Sequence, residues 1–414
     1  MKKIIADVFI AGAGAAGIAA AYAAAESGMQ VVVAEKNSFP GGRATASAVG
    51  TICGLYFRSF EKPVFAMQGF PKNFAERLMQ INKKQPVKYA EGLWFIPCHP
   101  KDFEKTADEF LSHSNCKVLY NTSVNNVESS GRKIESISCD RNGERLEIIP
   151  KSVIDCSGEG VMCKLLNHPV IADEEYQAAA IVFSLKDISV EDEFQLSFSL
   201  LKKITSDIEE KKIPEHYNLL SIIPHSLSAN SVMMKLGLPW KLNENDIASM
   251  ELKARQLVEE IYKFIKSTVH GFENSDIEWI AKEIGVRTGI RARGKNILSN
   301  DDVLNCVKHH DGICNGAWAI EHWRTGNKRV DMTYFSKDDF YNIPSGCLQS
   351  GALDNFFFAG KIISAEEKAI ASARVIGTCL GTGFAAGILA AFNAQNKLMQ
   401  DAIRHIQNEM YLEK

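Results

Sequence analysis

Between Val8 and Gly17 the chain reads Val-Phe-Ile-Ala-Gly-Ala-Gly-Ala-Ala-Gly, and a second apolar run, Val31 to Ala34, ends on Glu35. This spacing predicts a strand, a glycine turn, a helix and a second strand ending in an acid. That layout suits a chain that must hold the ADP half of a dinucleotide. Gly12 permits the tight turn, Gly14 lets a pyrophosphate approach the backbone, and Gly17 lets the helix pack closely on the sheet. The helix start adds free N–H groups and the positive end of its dipole. Gly12 to Gly17, including Ala13, Ala15 and Ala16, is therefore expected to line a cofactor. Glu35, eighteen residues beyond Gly17, is placed to accept hydrogen bonds from ribose hydroxyls and would repel a 2′-phosphate.

The chain continues through Lys36 and Phe39-Pro40 into Gly41-Gly42-Arg43-Ala44-Thr45. Taken alone, the glycine pair is an ordinary turn. Placed soon after a ribose-binding acid, it resembles the loop of flavoproteins built like glutathione reductase or the aromatic hydroxylases. There the loop passes the FAD pyrophosphate and ribityl chain, a feature an NAD dehydrogenase does not need.

Bulk properties are compatible. The 414 residues suit two or three domains, and a net charge of −3 leaves no footprint for nucleic acid or an anionic membrane. Met1-Lys2-Lys3 before an apolar stretch superficially copies a signal peptide, but the glycine turn that follows argues for a working structural element. No uninterrupted apolar run reaches bilayer length. The ten cysteines (53, 98, 116, 139, 156, 163, 306, 314, 347, 379) form no C-x-x-C pair and no compact Cys/His set. They read as reduced thiols of a cytoplasmic protein, with no metal site.

Further along, a helix is expected over Lys72 to Asn82, and Pro97 and Pro100 mark a break. Strands are expected at Val118 to Tyr120, Ser123 to Val127, Ile134 to Cys139 and, after an Asn142-Gly143 turn, Leu146 to Ile149, giving a β-meander. Ser152 to Asp155 is a further strand running into Cys156-Ser157-Gly158-Glu159-Gly160. The stretch from 171 alternates strands such as Ala178 to Leu185 with lysine-rich helices, notably Asp246 to Thr268, and holds no second strand–GxGxxG–helix unit. The chain closes with a strand at Phe356 to Gly360 and a glycine-punctuated helix from about Ile376 to Asn393.

Three distant segments together resemble the FAD-contacting segments of the FAD-dependent oxidoreductase family with a glutathione-reductase-like dinucleotide fold. The first is Gly12 to Gly42. The second, Val153 to Gly158, is similar to “I-D-A-T-G-D”. The third, Asn355 to Ser364, looks like “N-L-L-V-A-G-R-x-I-S” and runs on through Ala371-Ser372-Ala373-Arg374-Val375 to Thr378, Gly381 and Gly387. Val286-Arg287 to Val303 and Tyr341 to Leu348 are similar to two further motifs of that family. The resemblance implies FAD contacts at Gly12 to Gly17, Glu35, Lys36, Gly42, Arg43, Ala44, Thr45, Val124, Ser157, Gly158, Gly360, Lys361, Thr378 and Gly381. It also implies a Rossmann-like α/β FAD-binding domain, with a parallel sheet plus β-meander, assembled from 1–60, 110–170 and 345–414. Residues 61–109 are then an insertion, and 171–344 a mixed α/β substrate cap. Ser157, Glu159 and Lys361 depart from the family pattern, as does Thr288-Gly289-Ile290 in place of Glu-Ser-Arg.

The resemblance points to oxidation of a small organic substrate by hydride transfer to non-covalent FAD, in a monomer or homodimer. Flavin monooxygenation with NAD(P)H and O2, or a non-catalytic FAD-binding redox sensor, are the alternatives; Trp94-Phe95-Ile96-Pro97 only partly echoes a halogenase motif. Gly316 to Trp323 is the cap's densest chemical stretch. Alternation puts Trp318, Ile320 and His322 on one face, with His322 a candidate proton carrier; the plainer alternative is a strand packing two tryptophans beside a solvated histidine. Arg287, Arg291 and Arg293 either line the active site or lock onto Asp301 or Asp302. Arg287 and Arg291 are the candidates carried forward. Cys53 is a small buried filler or a redox thiol.

Overall fold

A computed structural model of the chain describes residues 2–242, 247–327 and 330–410. One sheet carries the glycine turn. Its strands run, in spatial order, Cys116–Leu119, Val31–Ala34, Lys2–Ala11, Glu144–Asp155, Lys133–Arg141 and Thr122–Ser130, while Phe356–Phe358 pairs with Glu144–Asp155. The first four strands and Phe356–Phe358 are parallel, and the meander is antiparallel. In register, Ala11 lies beside both Ala34 and Asp155, and Asp155 beside Phe358. Four strands thus end at one edge, so the turns after Ala11, Ala34, Asp155 and Phe358 open into a common crevice, where ligands of such sheets bind.

Leu146 to Ile149 and Ser152 to Asp155, expected as separate strands, form one continuous strand, Glu144–Asp155. Pro150 has no N–H to donate. It falls between Glu144–Ile148, paired antiparallel with the meander, and Val153–Asp155, paired parallel with Phe356–Phe358. The strand changes partner across the proline rather than ending there.

The helix Ala15–Glu26 is almost wholly buried. It crosses Ile376–Ala394 so closely that a Cβ at Gly383 would stand 2.1 Å from the Ala16 carbonyl oxygen, and one at Gly387 2.5 Å from that of Ala20. By length and composition alone this 19-residue helix, with a mean hydropathy of 1.4, could cross a bilayer, although Thr378 and Thr382 interrupt its apolar run, and it lies largely buried within the protein. Helices Phe70–Asn82 and Pro100–Leu111 close this side, with Phe70, Phe74 and Phe110 packed around Tyr22.

The cap has its own antiparallel sheet, ordered Leu220–Ile222, Ser231–Gly237, Ala180–Lys186 and Asp276–Ile280. Period-two alternation sorts its side chains. Ile181, Phe183, Leu185, Met234 and Leu236 pack with helices Glu193–Glu209 and Ile247–Thr268; the expected start at Asp246 lies outside the described residues. Val182 and Met233 take the other face and pack with Ala48, just beyond the glycine-pair loop. Lys235 shares that face by register. The cap core spans Ala179 to Val286. Leu298, Val303, Ile313, Cys314, Tyr341 and Ile343, within the stretch expected as cap, instead join the core around the nucleotide-binding helices.

Candidate active site

The first turn is built as its glycines require. Gly12 has φ +96°, and a Cβ there would stand 2.8 Å from the Cys156 carbonyl oxygen; one at Gly17 would stand 1.9 Å from that of Gly12. Gly14 differs: its Cβ would meet only the Cα of Gly42, at 3.7 Å. The space before it belongs to the crevice. The second glycine loop returns beside the first, with Gly41 N–H donating to the Ala13 carbonyl at 2.8 Å.

Glu35 is buried, and its carboxylate accepts from the N–H groups of Ala13 at 2.7 Å and Asn37 at 2.8 Å. Burial raises its carboxyl above the ordinary value, although these amides oppose the shift. Each oxygen keeps a lone pair open to a further donor.

Gly12, Gly14, Ala15, Ala16, Glu35, Lys36, Gly42, Arg43, Ala44, Val124, Ser157, Gly158, Gly360 and Lys361 all line one crevice. Ala13 serves through its bond to Glu35. Thr45 positions the loop, donating from Oγ1 to the Pro40 carbonyl at 2.7 Å. Thr378 and Gly381 do not line the crevice; Ile376 and Cys379 of the same helix do. A Cβ at Gly381 would meet Met67 and Cys314, and one at Gly54 would come 3.1 Å from Thr378 Oγ1. Helix rotation turns that pair toward the core.

The middle of the crevice holds alternating charges. Arg43 bonds Glu283 at 2.6 Å and Glu159 at 2.7 Å, and Lys36 reaches both acids at 3.5 and 3.3 Å. Burial would raise the Glu159 carboxyl, but Lys36, Arg43 and Lys361 hold it below the ordinary value. Lys361 donates to the Val286 carbonyl at 3.0 Å. Burial, together with the neighbouring Arg43, pushes its ammonium down to about 7. Glu283 and Asn37 also line the crevice; neither sits in a motif, and no sequence signal marked them.

Beyond Lys361 the crevice reaches Arg374, which lies in a quoted family motif but was not singled out. Arg374 Nη2 donates to Gln177 Oε1 and to the Glu321 carbonyl, both at 3.2 Å. Glu321 accepts from the indoles of Trp318 at 3.0 Å and Trp323 at 2.7 Å. The Trp323 ring carries Arg287 at 4.4 Å and Lys235 at 4.5 Å from its centroid. Arg287 also donates to the Ala178 carbonyl. Burial would raise the Glu321 carboxyl, yet Arg374, the Trp318 indole and Arg287 hold it ionised. Burial and the adjacent Arg374 lower Arg287 to about 10, while burial and Arg287 lower Lys235 to about 8.

The other candidates lie apart from this cluster. Along Ile320–His322 the alternation that gives Glu321 to the cluster turns His322 to the opposite face, where Nδ1 is 3.7 Å from Glu367. Ile320 shares that face and is buried, but Trp318, just before the strand, joins Glu321 instead. Arg291 is fully buried and locked, though not by Asp301 or Asp302. It forms a two-pronged pair with Asp173 at 2.6 Å and donates to the carbonyls of Ala365 and Gly289; Asp302 caps its own helix with Ser299. The Cys53 carbonyl accepts from Gly377 N–H at 2.8 Å, and burial pushes its thiol well above the ordinary range, away from the reactive thiolate.

A family model described as FAD dependent oxidoreductase matches residues 7–410. The fold is similar to that of OxyS anhydrotetracycline hydroxylase from Streptomyces rimosus, at 11% identity and a TM-score of 0.52 over 97% of this chain and 65% of that one. It also aligns with a geranylgeranyl bacteriochlorophyll reductase-like protein from Thermoplasma acidophilum, at 12% identity and TM-score 0.48 over 98% and 84% of the two chains. A third is pqsL, a probable FAD-dependent monooxygenase from Pseudomonas aeruginosa, at 12–13% identity and TM-score 0.45 over 98% and 92%. No curated protein matches the sequence.

Proposed function

The chain belongs to the FAD dependent oxidoreductase family, and from that premise we propose that it oxidises a small organic molecule by hydride transfer to non-covalently held FAD. The crevice residues fit the cofactor. Gly14 leaves free the space its Cβ would fill, Glu35 offers lone pairs to a ribose, and the helix start at Ala15, with the one positive charge that Glu159 and Glu283 leave over among Lys36, Arg43 and Lys361, would face a diphosphate. When bound, FAD supplies the two-electron acceptor for a hydride leaving the substrate carbon, so that a carbonyl or imine results.

The remaining tasks fall to the chain. One observation carries the reading: Arg374 joins the crevice directly to a half-buried cluster of Lys235, Arg287, Glu321 and two tryptophans. Lys235 is the base in this scheme. Its ammonium, lowered to about 8, is neutral often enough near neutral pH to take a proton at Nζ from the oxygen or nitrogen beside the reacting carbon. Glu321 keeps both indoles and Arg374 in place, and Trp318 and Trp323 exclude water.

The test is anaerobic mixing of the yellow holoprotein with a panel of small alcohols, amines, hydroxy acids and amino acids while flavin absorbance is followed. At least one compound is expected to bleach the wild type, and Lys235→Met to slow that bleaching about a hundredfold at unchanged FAD content. Bleaching only by NADH or NADPH, with oxygen uptake that depends on an added organic substrate, would overturn the reading in favour of monooxygenation.

A further inference from the structure

Among the described residues, the cluster beside Arg374 holds more positive than negative charge. Lys235, Arg287 and Arg374 face one carboxylate, Glu321, which accepts two indole N–H groups. Two donors there are also unused. Arg374 Nε and Gln177 Nε2 are buried and have no hydrogen-bond partner among the described residues. They belong to side chains already tied together, since Gln177 Oε1 accepts from Arg374 Nη2 at 3.2 Å. Gln177 is itself only 3% exposed and is held further by the Trp323 N–H at 3.4 Å and by its own N–H, which donates to Thr288 Oγ1 at 2.9 Å. A buried donor left without an acceptor is costly. Two beside an unbalanced guanidinium pair call for an acceptor-rich anion, and Arg374 is the member of the cluster that lines the crevice.

We propose that the molecule oxidised is an organic acid whose carboxylate is held by Arg374, Gln177 and Arg287. This rests on the reading of the cluster as the substrate site. A carboxylate has two acceptor oxygens and no donor, so it satisfies Arg374 Nε and Gln177 Nε2 together and offsets the charge excess. A primary amide of the same shape keeps one acceptor oxygen, sets its NH2 against the second donor and brings no charge. Arg287 is steered by its bond to the Ala178 carbonyl and by the Trp323 ring beneath it. Lys235, on that same ring, stays beside the acid's reacting end as the base.

The test uses holoprotein and two matched pairs of probes, benzoate with benzamide and succinate with succinamide, titrated against the visible spectrum of the bound flavin. At least one carboxylate is expected to saturate, with its amide binding at least a hundredfold more weakly. Gln177→Leu and Arg287→Met should each weaken that carboxylate about tenfold or more without changing FAD content, while Arg287→Lys recovers part of the loss. Amides that bind as well as their acids, or variants that bind carboxylate as the wild type does, overturn the proposal. If Arg287→Met does not fold, Gln177→Leu decides alone. The hydride-transfer reading has a separate readout: flavin bleached by an uncharged alcohol or amine but blind to every carboxylate removes the organic-acid assignment and leaves that reading standing.

Discussion

Arg43 and Glu283, 240 residues apart in sequence, meet at 2.6 Å in the wall of the crevice. One follows the glycine pair of the nucleotide-binding half, and the other leaves the last strand of the cap sheet. The same stretch adds Glu283 N–H to the Ala46 carbonyl at 2.9 Å. The two halves are therefore fastened beside the cofactor's expected path.

That pair should show in a double-mutant cycle. For Arg43→Gln and Glu283→Gln, urea unfolding of the flavin-stripped protein is expected to give a coupling energy of about 1 kcal/mol. Additive variants would mean that Glu159 alone holds Arg43 and that the link between the halves is idle.

Arg291 and Asp173 make a different kind of prediction. Removing one member of a buried pair leaves the other uncompensated, a loss of about 3–5 kcal/mol. Arg291→Met should unfold at much lower urea, with Asp173→Asn in the same chain restoring part of the stability. Any Arg291→Met protein that folds should keep its flavin spectrum. A variant as stable as the wild type would refute the lock.

Lys361 and Lys235 set a pH dependence. Their ammonium groups fall to about 7 and about 8 in the folded chain, against 10.5 ordinarily. From about pH 7 to 10.5 the unfolded chain therefore binds more protons, and these two groups make stability rise with pH. Below that window both are charged in either state, and their burial is most costly. Thermal unfolding of flavin-stripped wild type and the Lys361→Met/Lys235→Met double variant should show the variant's advantage at pH 6.5 shrinking by pH 9.5. A gap that is constant across pH would rule out the shifted lysines as its source.

The nucleotide-binding half was legible because its signals are local. Gly12, Gly14 and Gly17 carry their spacing in a single turn, and Glu35 ends the next strand, so tertiary context had little to add. The opposite end was less so. Thr378 and Gly381 sit on the expected helix, but which face meets the crevice depends on how the helix rolls against Ala16 and Ala20, and no motif records that. Gln177 and Lys235, which meet around Trp323, and Glu283, which meets Arg43, come from separate strands and loops of the cap and reach their partners only once its sheet has folded over Ala48. Asp301 and Asp302 are near Arg291 in sequence, whereas its partner Asp173 lies 118 residues away. Aromatic and charged density did direct attention to residues 316–323. Within that stretch strand alternation gives the position facing the cluster to Glu321 and turns His322 away.

The central claim is that the glycine turn and Glu35 read the ADP half of FAD, and the most direct measurement is cofactor stoichiometry with its discrimination. Apo-protein should take up one FAD per chain in equilibrium dialysis, release it to the supernatant on acid precipitation, and bind FMN, which lacks the adenosine half, at least a hundredfold more weakly. Gly14→Ala has room within the protein for its methyl group, so it should fold normally and lose FAD. Equal binding of FMN and FAD, or full retention of FAD by folded Gly14→Ala, would contradict the account.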